Sequence, residues 1–316
     1  MSAAVGALAG RVAIITGAGR GLGREHALFM ASEGARVVVN DRGVAMDGRG
    51  QDSTPAAEVV AEITALGGEA VANDDDVTDW DGGRQLIETA LDCFGDLHIL
   101  VNNAGILRDR ALVNMTEEEW DDVISVHLKG HFVPTRHAAA YWRAQAKSGT
   151  VVRASVVNTS STSGLLGNPF QTNYGAAKAG IGAFTIIAAQ ELGRYGVRVN
   201  CVVPAARTRL TSATEGLRDI VKEPSDRARF DIWDPANVSP VVGWLATERC
   251  PSTGKVFFVH GGEVRLMTPW AMGEGVEGSR RWTVAALDDE LGKLVGPSGE
   301  YRAEFDGGIG GGIGLG

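Results

Sequence analysis

Three side chains in the stretch NTSSTSGLLGNPFQTNYGAAK, residues 158–178, have the types and spacing to move a proton to or from an alcohol. Tyr174 and Lys178 stand four apart, so a helical segment after Asn168 puts them one turn apart on one face. A lysine ammonium beside a phenol favours the phenolate and draws down a pKa of about 10, making tyrosine usable as an acid or base near neutral pH. Ser161 lies thirteen residues before Tyr174, at the end of the apolar run VVRASVVNTSS, which reads as a buried strand. A hydroxyl at such a strand end can face a ligand at the carboxyl edge of a parallel sheet. The three suit reversible hydride transfer between a carbonyl and an alcohol. Tyr-x-x-x-Lys by itself is as a rule an ordinary surface pair, because two residue types at one spacing recur by accident. The elements around it must carry the argument.

Those elements alternate. RVAIIT (11–16) is a β-rich run; GAGRGLG follows, then a helical REHALFMASEG and a second buried strand, ARVVVND, ending on Asp41. Strand, glycine turn, helix and strand make one βαβ unit. After a long polar loop, 42–54, the pattern predicts helix 54–66, strand 69–73, helix 79–94 and strand 97–101. A long helical region over 116–146 opens on Thr116 with Glu119 three residues later, a capping box. Strand 150–159, the helix carrying Tyr174 and Lys178, strand 196–203, a helix capped by Asp234-Pro235 and strand 255–261 complete it. Seven strands alternating with helices predict an α/β fold with a doubly wound parallel sheet of Rossmann type. One domain is expected over 1–262. Residues 263–316 read as a C-terminal extension with a short amphipathic helix, 280–295, and a glycine-rich tail.

Thr16-Gly17-Ala18-Gly19-Arg20-Gly21-Leu22-Gly23 sits where a dinucleotide fold needs it, after the first strand and opening the first helix. Glycine there permits the tight turn and lets backbone N–H groups approach a pyrophosphate, which the helix N-terminus also attracts. Asp41 ends the second strand about twenty residues on, where a carboxylate binds the adenosine ribose hydroxyls and repels a 2′-phosphate. That favours NAD over NADP, although Arg20 and Arg42 flank the place and could accept a phosphate instead.

The formal net charge of −9 argues against a nucleic-acid partner, which needs a basic face. Cys93, Cys201 and Cys250 are few, scattered and set in apolar stretches, so they read as reduced core thiols in a cytoplasmic setting, with no metal site expected. No apolar run reaches membrane-spanning length, and the first ten residues lack the charged region of a signal peptide.

Taken together, residues 10–262 resemble the short-chain dehydrogenase/reductase family. TGAGRGLG resembles its cofactor loop, Asp76-Val77 its adenine-contacting pair and Asn102-Asn103-Ala104-Gly105 its NNAG segment; Ser161, Tyr174 and Lys178 fall on its catalytic positions. Pro204-Ala205 stands where the family has Pro-Gly, and the resemblance puts Thr208 within reach of the nicotinamide amide or the phosphates. His127, in ISVHLKGHF, stands where most members have an asparagine that completes a proton relay. Its alternatives are a link from Lys178 to solvent or a helix-packing histidine bonded to a backbone carbonyl. With VHLKGHF, AGILRDR and GNPFQTNYGAAK, the chain is most similar to the (3R)-hydroxyacyl-CoA dehydrogenase domains of type 2 multifunctional enzymes, without the domains that follow there.

The resemblance implies an enzyme oxidising a secondary alcohol with NAD. Tyr174 serves as the base, Ser161 holds the substrate oxygen, and Lys178 holds the nicotinamide ribose and lowers the phenol. Its expected substrate is a (3R)-hydroxyacyl-CoA of fatty-acid or steroid side-chain oxidation. The rival readings are a free 17β-hydroxysteroid or other secondary-alcohol dehydrogenase and a nucleotide-sensing protein without turnover. Arg108, Arg110, Arg207 and Arg209, in loops after the fourth and sixth strands, are candidates for a basic rim that meets the CoA phosphates. The family also implies a homo-oligomer built on helices 116–146 and 171–194.

Overall fold

The structure is a computed structural model and describes residues 6–44, 50, 52–209, 211, 218–226, 229–268 and 270–295. The middle of the long polar loop (45–49 and 51) and the glycine-rich tail lie outside these. The strands are β1 (Val12–Thr16), β2 (Arg36–Asn40), β3 (Glu69–Asn73), β4 (Ile99–Asn102), β5 (Ala154–Thr159), β6 (Val197–Ala205), β7 (Val256–His260) and β8 (Glu263–Met267). They form one sheet in the order β3-β2-β1-β4-β5-β6-β7-β8. β1 to β7 are parallel and β8 returns antiparallel to β7. The sheet therefore has eight strands where seven are expected. The added strand puts residues 263–267 in the sheet rather than in the extension; its exposed Val264 and Leu266 carry no buried apolar alternation for a sequence pattern to detect.

Both faces of the sheet are covered because alternate residues of each strand point to opposite sides. Ala13, Ile15, Val37 and Val39 pack against α1 (Gly21–Ser32), α2 (Thr54–Ala65) and α8 (Ser239–Ala246). Val12, Ile14, Val38 and Leu100 pack against α3 (Trp80–Phe94), α5 (Gly130–Lys147) and α7 (Thr172–Leu192). Strand order reverses between β1 and β4, so the loops after both open a crevice at the carboxyl edge.

The expected long helical region runs unbroken from Glu117 to Lys147, but its winding changes on the way. α4 (Glu117–Ile124) opens with the expected Thr116–Glu119 capping box, but a widened π turn, Ser125–Lys129, separates it from α5. Such turns recur at functional sites, and this one carries His127. By chain contacts, residues 1–267 form one compact unit and 268–316 a second. The second contains α9 (Val284–Val295), within the span expected for a helix. Among the described residues no helix is long and apolar enough to cross a membrane.

Candidate active site

The nucleotide end is built from backbone. Gly17 has φ 62°, and a Cβ on Gly23 would stand 2.2 Å from the Gly17 carbonyl oxygen, so the turn closes only without side chains. Arg20 sits at the N-cap of α1 and offers no side-chain hydrogen bond to it, which leaves the first helical amides to a ligand. Asp41 accepts from Gly19 N (2.7 Å) and Gly43 N (2.7 Å), joining the phosphate loop to the end of β2. Arg42 is committed to Asp76 at 2.6 Å, and Asp76 also accepts from Thr78 N and Oγ1. Val77 is buried, and Leu22 packs on the core.

The NNAG segment is tied to the same loop. Asn103 Nδ2 donates to the carbonyls of Thr16 (3.1 Å) and Gly17 (3.2 Å), while Thr16 Oγ1 accepts from Asn103 N and Ala104 N. Ala104 lies against Gly17, and Thr208 reaches over from the loop after β6 to within 3.9 Å of a Cβ built on Gly21. Pro204 stands in β6, paired with Val259 of β7. Uncapped amides, a glycine cradle and a carboxylate at the end of β2 fit a dinucleotide.

Ser161, Tyr174 and Lys178 converge beside it. Ser161 follows β5 and caps the short helix α6 (Thr162–Leu165), accepting from Ser163 N. Tyr174 and Lys178 share a face of α7, with Lys178 Nζ 5.5 Å from the Tyr174 ring centre. Lys178 is 2% exposed and donates to the Thr159 carbonyl at 2.6 Å. Burial pushes its ammonium down to about 7. Burial also pushes the Tyr174 phenol up to about 12; a hydrogen bond with Ser161 pulls the other way and the Asp109 charge adds to the rise. In the chain alone, loss of hydration dominates the phenol, and the Lys178 hydrogen bond goes to the Thr159 carbonyl rather than to Tyr174.

His127 is buried with its Nε2 2.8 Å from Ile106 O and 3.1 Å from Ile106 N, and its ring meets Tyr174 edge to face at 5.0 Å. Burial, then the Lys178 charge, hold it well below the usual histidine range. Its backbone-bonded ring matches the packing alternative of its two readings. A Cβ on Gly105 would lie 2.3 Å from that ring, so the last glycine of NNAG makes room for it.

Sequence reasoning missed several residues that hold this arrangement. Asn173, fully buried, donates to the carbonyls of Arg108 (3.1 Å) and Glu119 (2.9 Å), fastening α7 to two other segments. Buried Gln171 donates to Asp109 and accepts from Ser163 and Asn168. His131, one turn beyond His127, is buried near Lys178, and burial holds it down at about 3. The proximity of Asn173 to Tyr174 was the one available signal. The expected basic rim is largely neutralised: Arg108 pairs with Asp122 (2.7 Å), Arg110 with Glu119 (2.9 Å) and Arg207 with Asp231 (2.5 Å). Arg209 feels the charges of Arg20 and Asp41, at the nucleotide end. Of the three cysteines Cys93 is exposed, contrary to the core reading, while Cys201 and Cys250 are buried.

The family model for short chain dehydrogenases matches residues 11–219. The chain is 46% identical over 269 residues to hydroxyacyl-CoA dehydrogenase ChsB1 of Mycobacterium tuberculosis, covering 83% of this chain and 81% of that protein. It is 44% identical over 245 residues to peroxisomal multifunctional enzyme type 2 of Drosophila melanogaster, covering 78% of this chain and 38% of that longer one. A crystal structure of a short chain dehydrogenase from Mycobacterium avium superposes with a TM-score of 0.81 at 49% identity, covering 92% of this chain and 96% of that one. The family match spans the phosphate loop, the NNAG segment and the serine, tyrosine and lysine that the fold brings together, and the chain belongs to the short-chain dehydrogenases, oxidoreductases acting on CH–OH groups.

Proposed function

We propose that this protein is an NAD-dependent (3R)-hydroxyacyl-CoA dehydrogenase, interconverting a secondary alcohol and a ketone on an acyl thioester. The observation that carries the reaction is the convergence of Ser161, Tyr174 and buried Lys178 beside a cradle fitted to a dinucleotide. The thioester is supported by the 46% identity with a hydroxyacyl-CoA dehydrogenase across most of both chains. NAD is supported by Asp41, whose carboxylate stands at the ribose end, and by Arg42, which is held by Asp76 rather than free for a 2′-phosphate. Exposed Phe132 on α5 and Ile187 on α7 support a homo-oligomer formed on those helices.

Gly17, Arg20, Gly21, Leu22 and Gly23 would hold the pyrophosphate, with Thr208 over them. Asp41, Asp76 and Val77 would hold the adenosine. Asn103, Ala104, Gly105 and Pro204 would flank the nicotinamide, and Lys178 its ribose. When bound, the oxidised nicotinamide supplies the hydride acceptor and a positive charge. The chain does the rest. Ser161 Oγ orients the substrate oxygen by hydrogen bonding. In the direction of oxidation Tyr174 would take the hydroxyl proton as the phenolate, formed when the positive charge of the bound oxidised nicotinamide offsets the burial that raises its pKa; in reduction, where the raised pKa keeps it protonated, it returns that proton to the forming alcohol. Lys178, its hydrogen bond to Thr159 setting its place, tunes that transfer through its charge. His127 steadies the Tyr174 ring through its edge-to-face contact.

Initial rates of NAD and NADP reduction with a (3R)-hydroxyacyl-CoA, its (3S) epimer and a 17β-hydroxysteroid test this reading. The expected result is turnover of the (3R) thioester with NAD. Turnover of the steroid alone would replace the thioester by a free alcohol. Tight NADH binding without turnover of any of them would point to a nucleotide-sensing protein.

A further inference from the structure

Phe170 occupies backbone that its side chain disfavours. Its φ is 67°, in the left-handed region that glycine enters freely and bulky residues avoid, because Cβ there crowds the following carbonyl oxygen. Gly167, three residues earlier, meets a similar demand with glycine at φ 81°. Phe170 is 48% exposed, so burial in the core does not compensate for the backbone.

The conformation is held from outside. The Phe170 carbonyl accepts from Arg110 N at 2.8 Å, and Arg110 and Gln171 form an isolated parallel bridge. Gln171 and Asn173, both buried, bind the same stretch to Asp109, to the Arg108 carbonyl and to α4. Strain that the surroundings over-determine collects at functional sites. This one lies four residues before Tyr174, where the loops after β4 and β5 meet at the carboxyl edge of the sheet.

That edge exposes apolar side chains as well. Leu112 is 65% exposed and Val113 90% exposed, both on the loop after β4 that carries Arg110. Arg108 and Arg110 are engaged by Asp122 and Glu119. We propose that Phe170 is a specificity-determining residue: its left-handed backbone sets an aromatic wall at the substrate mouth, against which the apolar chain of the acyl group lies. The inference rests on the thioester reading and deepens it.

The test compares a short-chain and a long-chain (3R)-hydroxyacyl-CoA in the full-length protein, its Phe170→Gly variant and its Phe170→Asn variant. Both replacements tolerate positive φ, so both fold without the strain, and the thermal midpoint of each is expected at or above that of the unaltered protein. The ratio of kcat/KM for the long chain to that for the short chain is expected to fall about tenfold in both, carried by KM, as the apolar contact of a ring is lost. If the unaltered protein turns over neither thioester, the thioester reading fails and takes this inference with it. If it turns over both and the variants keep its ratio, only the inference about Phe170 is overturned. A lowered ratio accompanied in both variants by a thermal midpoint several degrees lower also overturns it, since the ring would then act through folding.

Discussion

The nucleotide end and the substrate end of this crevice are built by different means. At the nucleotide end the working groups are backbone amides, and the contacts that shape it are hydrogen bonds among the phosphate loop, the end of β2 and the NNAG segment. At the substrate end the working groups are side chains drawn from four segments, several of them fully buried. Lys178, His127 and His131 are held away from their usual ionisation there, and His127 Nδ1, His131 Nε2 and Thr159 Oγ1 are buried without a hydrogen-bond partner. Backbone tolerates no added atom but keeps its chemistry in any surroundings. Buried side chains tolerate some reshaping but owe their chemistry to what surrounds them. The first end should therefore fail by steric crowding and the second by loss of a proton-transfer group, and the two failures should be separable.

The largest effect is expected from Tyr174→Phe. Removing the hydroxyl takes away the proton acceptor and should lower kcat by about a thousandfold, within the range for acid–base groups. NADH affinity, measured by fluorescence titration, should stay within a few-fold, because the cradle is elsewhere. A parallel loss of NADH binding would erase the distinction between the two ends.

Gly23→Ala should do the reverse. Its Cβ would meet the Gly17 carbonyl oxygen at 2.2 Å and Asn103 Nδ2 at 2.6 Å, so the loop must move. Overpacking of this kind costs about 1–3 kcal/mol, and NADH affinity should fall by about tenfold or more. Calorimetric titration and thermal unfolding check both; full affinity in this variant would mean the turn has room that its geometry denies.

The third prediction concerns pH, is read as a slope, and sharpens the account of the buried lysine. Folded Lys178 titrates at about 7, below its ordinary 10.5, so above pH 7 the folded chain has lost a proton that the unfolded chain still holds. Stability of the cofactor-free protein should then rise with pH from about 7 towards 10, by up to about 1.4 kcal/mol per pH unit from this group. Lys178→Met should remove that contribution from the slope, read by urea unfolding at a series of pH values. An unchanged slope would mean that Lys178 keeps its ordinary pKa despite burial.

How much of this was legible beforehand follows from range. The capping box at Thr116, the glycine turn and the four-residue spacing of Tyr174 and Lys178 are local, and the structure contains all three. Arg108 and Arg207 lie on loops as expected while Arg209 is helical, and Asp122 and Asp231, which lie 14 and 24 residues from the arginines they engage, could not be assigned to them from the chain alone. β8 escaped because an exposed antiparallel edge strand needs no buried face. The π turn at His127 escaped because one extra residue in a helical turn leaves the apolar period nearly intact.

The amino-acid sequence by itself determined the alternation of strands and helices, the phosphate loop and the identity of the reacting side chains, since each depends on neighbours a few residues away. Only the tertiary structure decided their chemistry. It carried Lys178 out of water and onto the Thr159 carbonyl, raised the phenol of Tyr174 and turned Arg108, Arg110 and Arg207 towards carboxylates. It also held Phe170 in left-handed backbone. Burial, pairing and strain are properties of surroundings, and those surroundings exist only once distant segments have met.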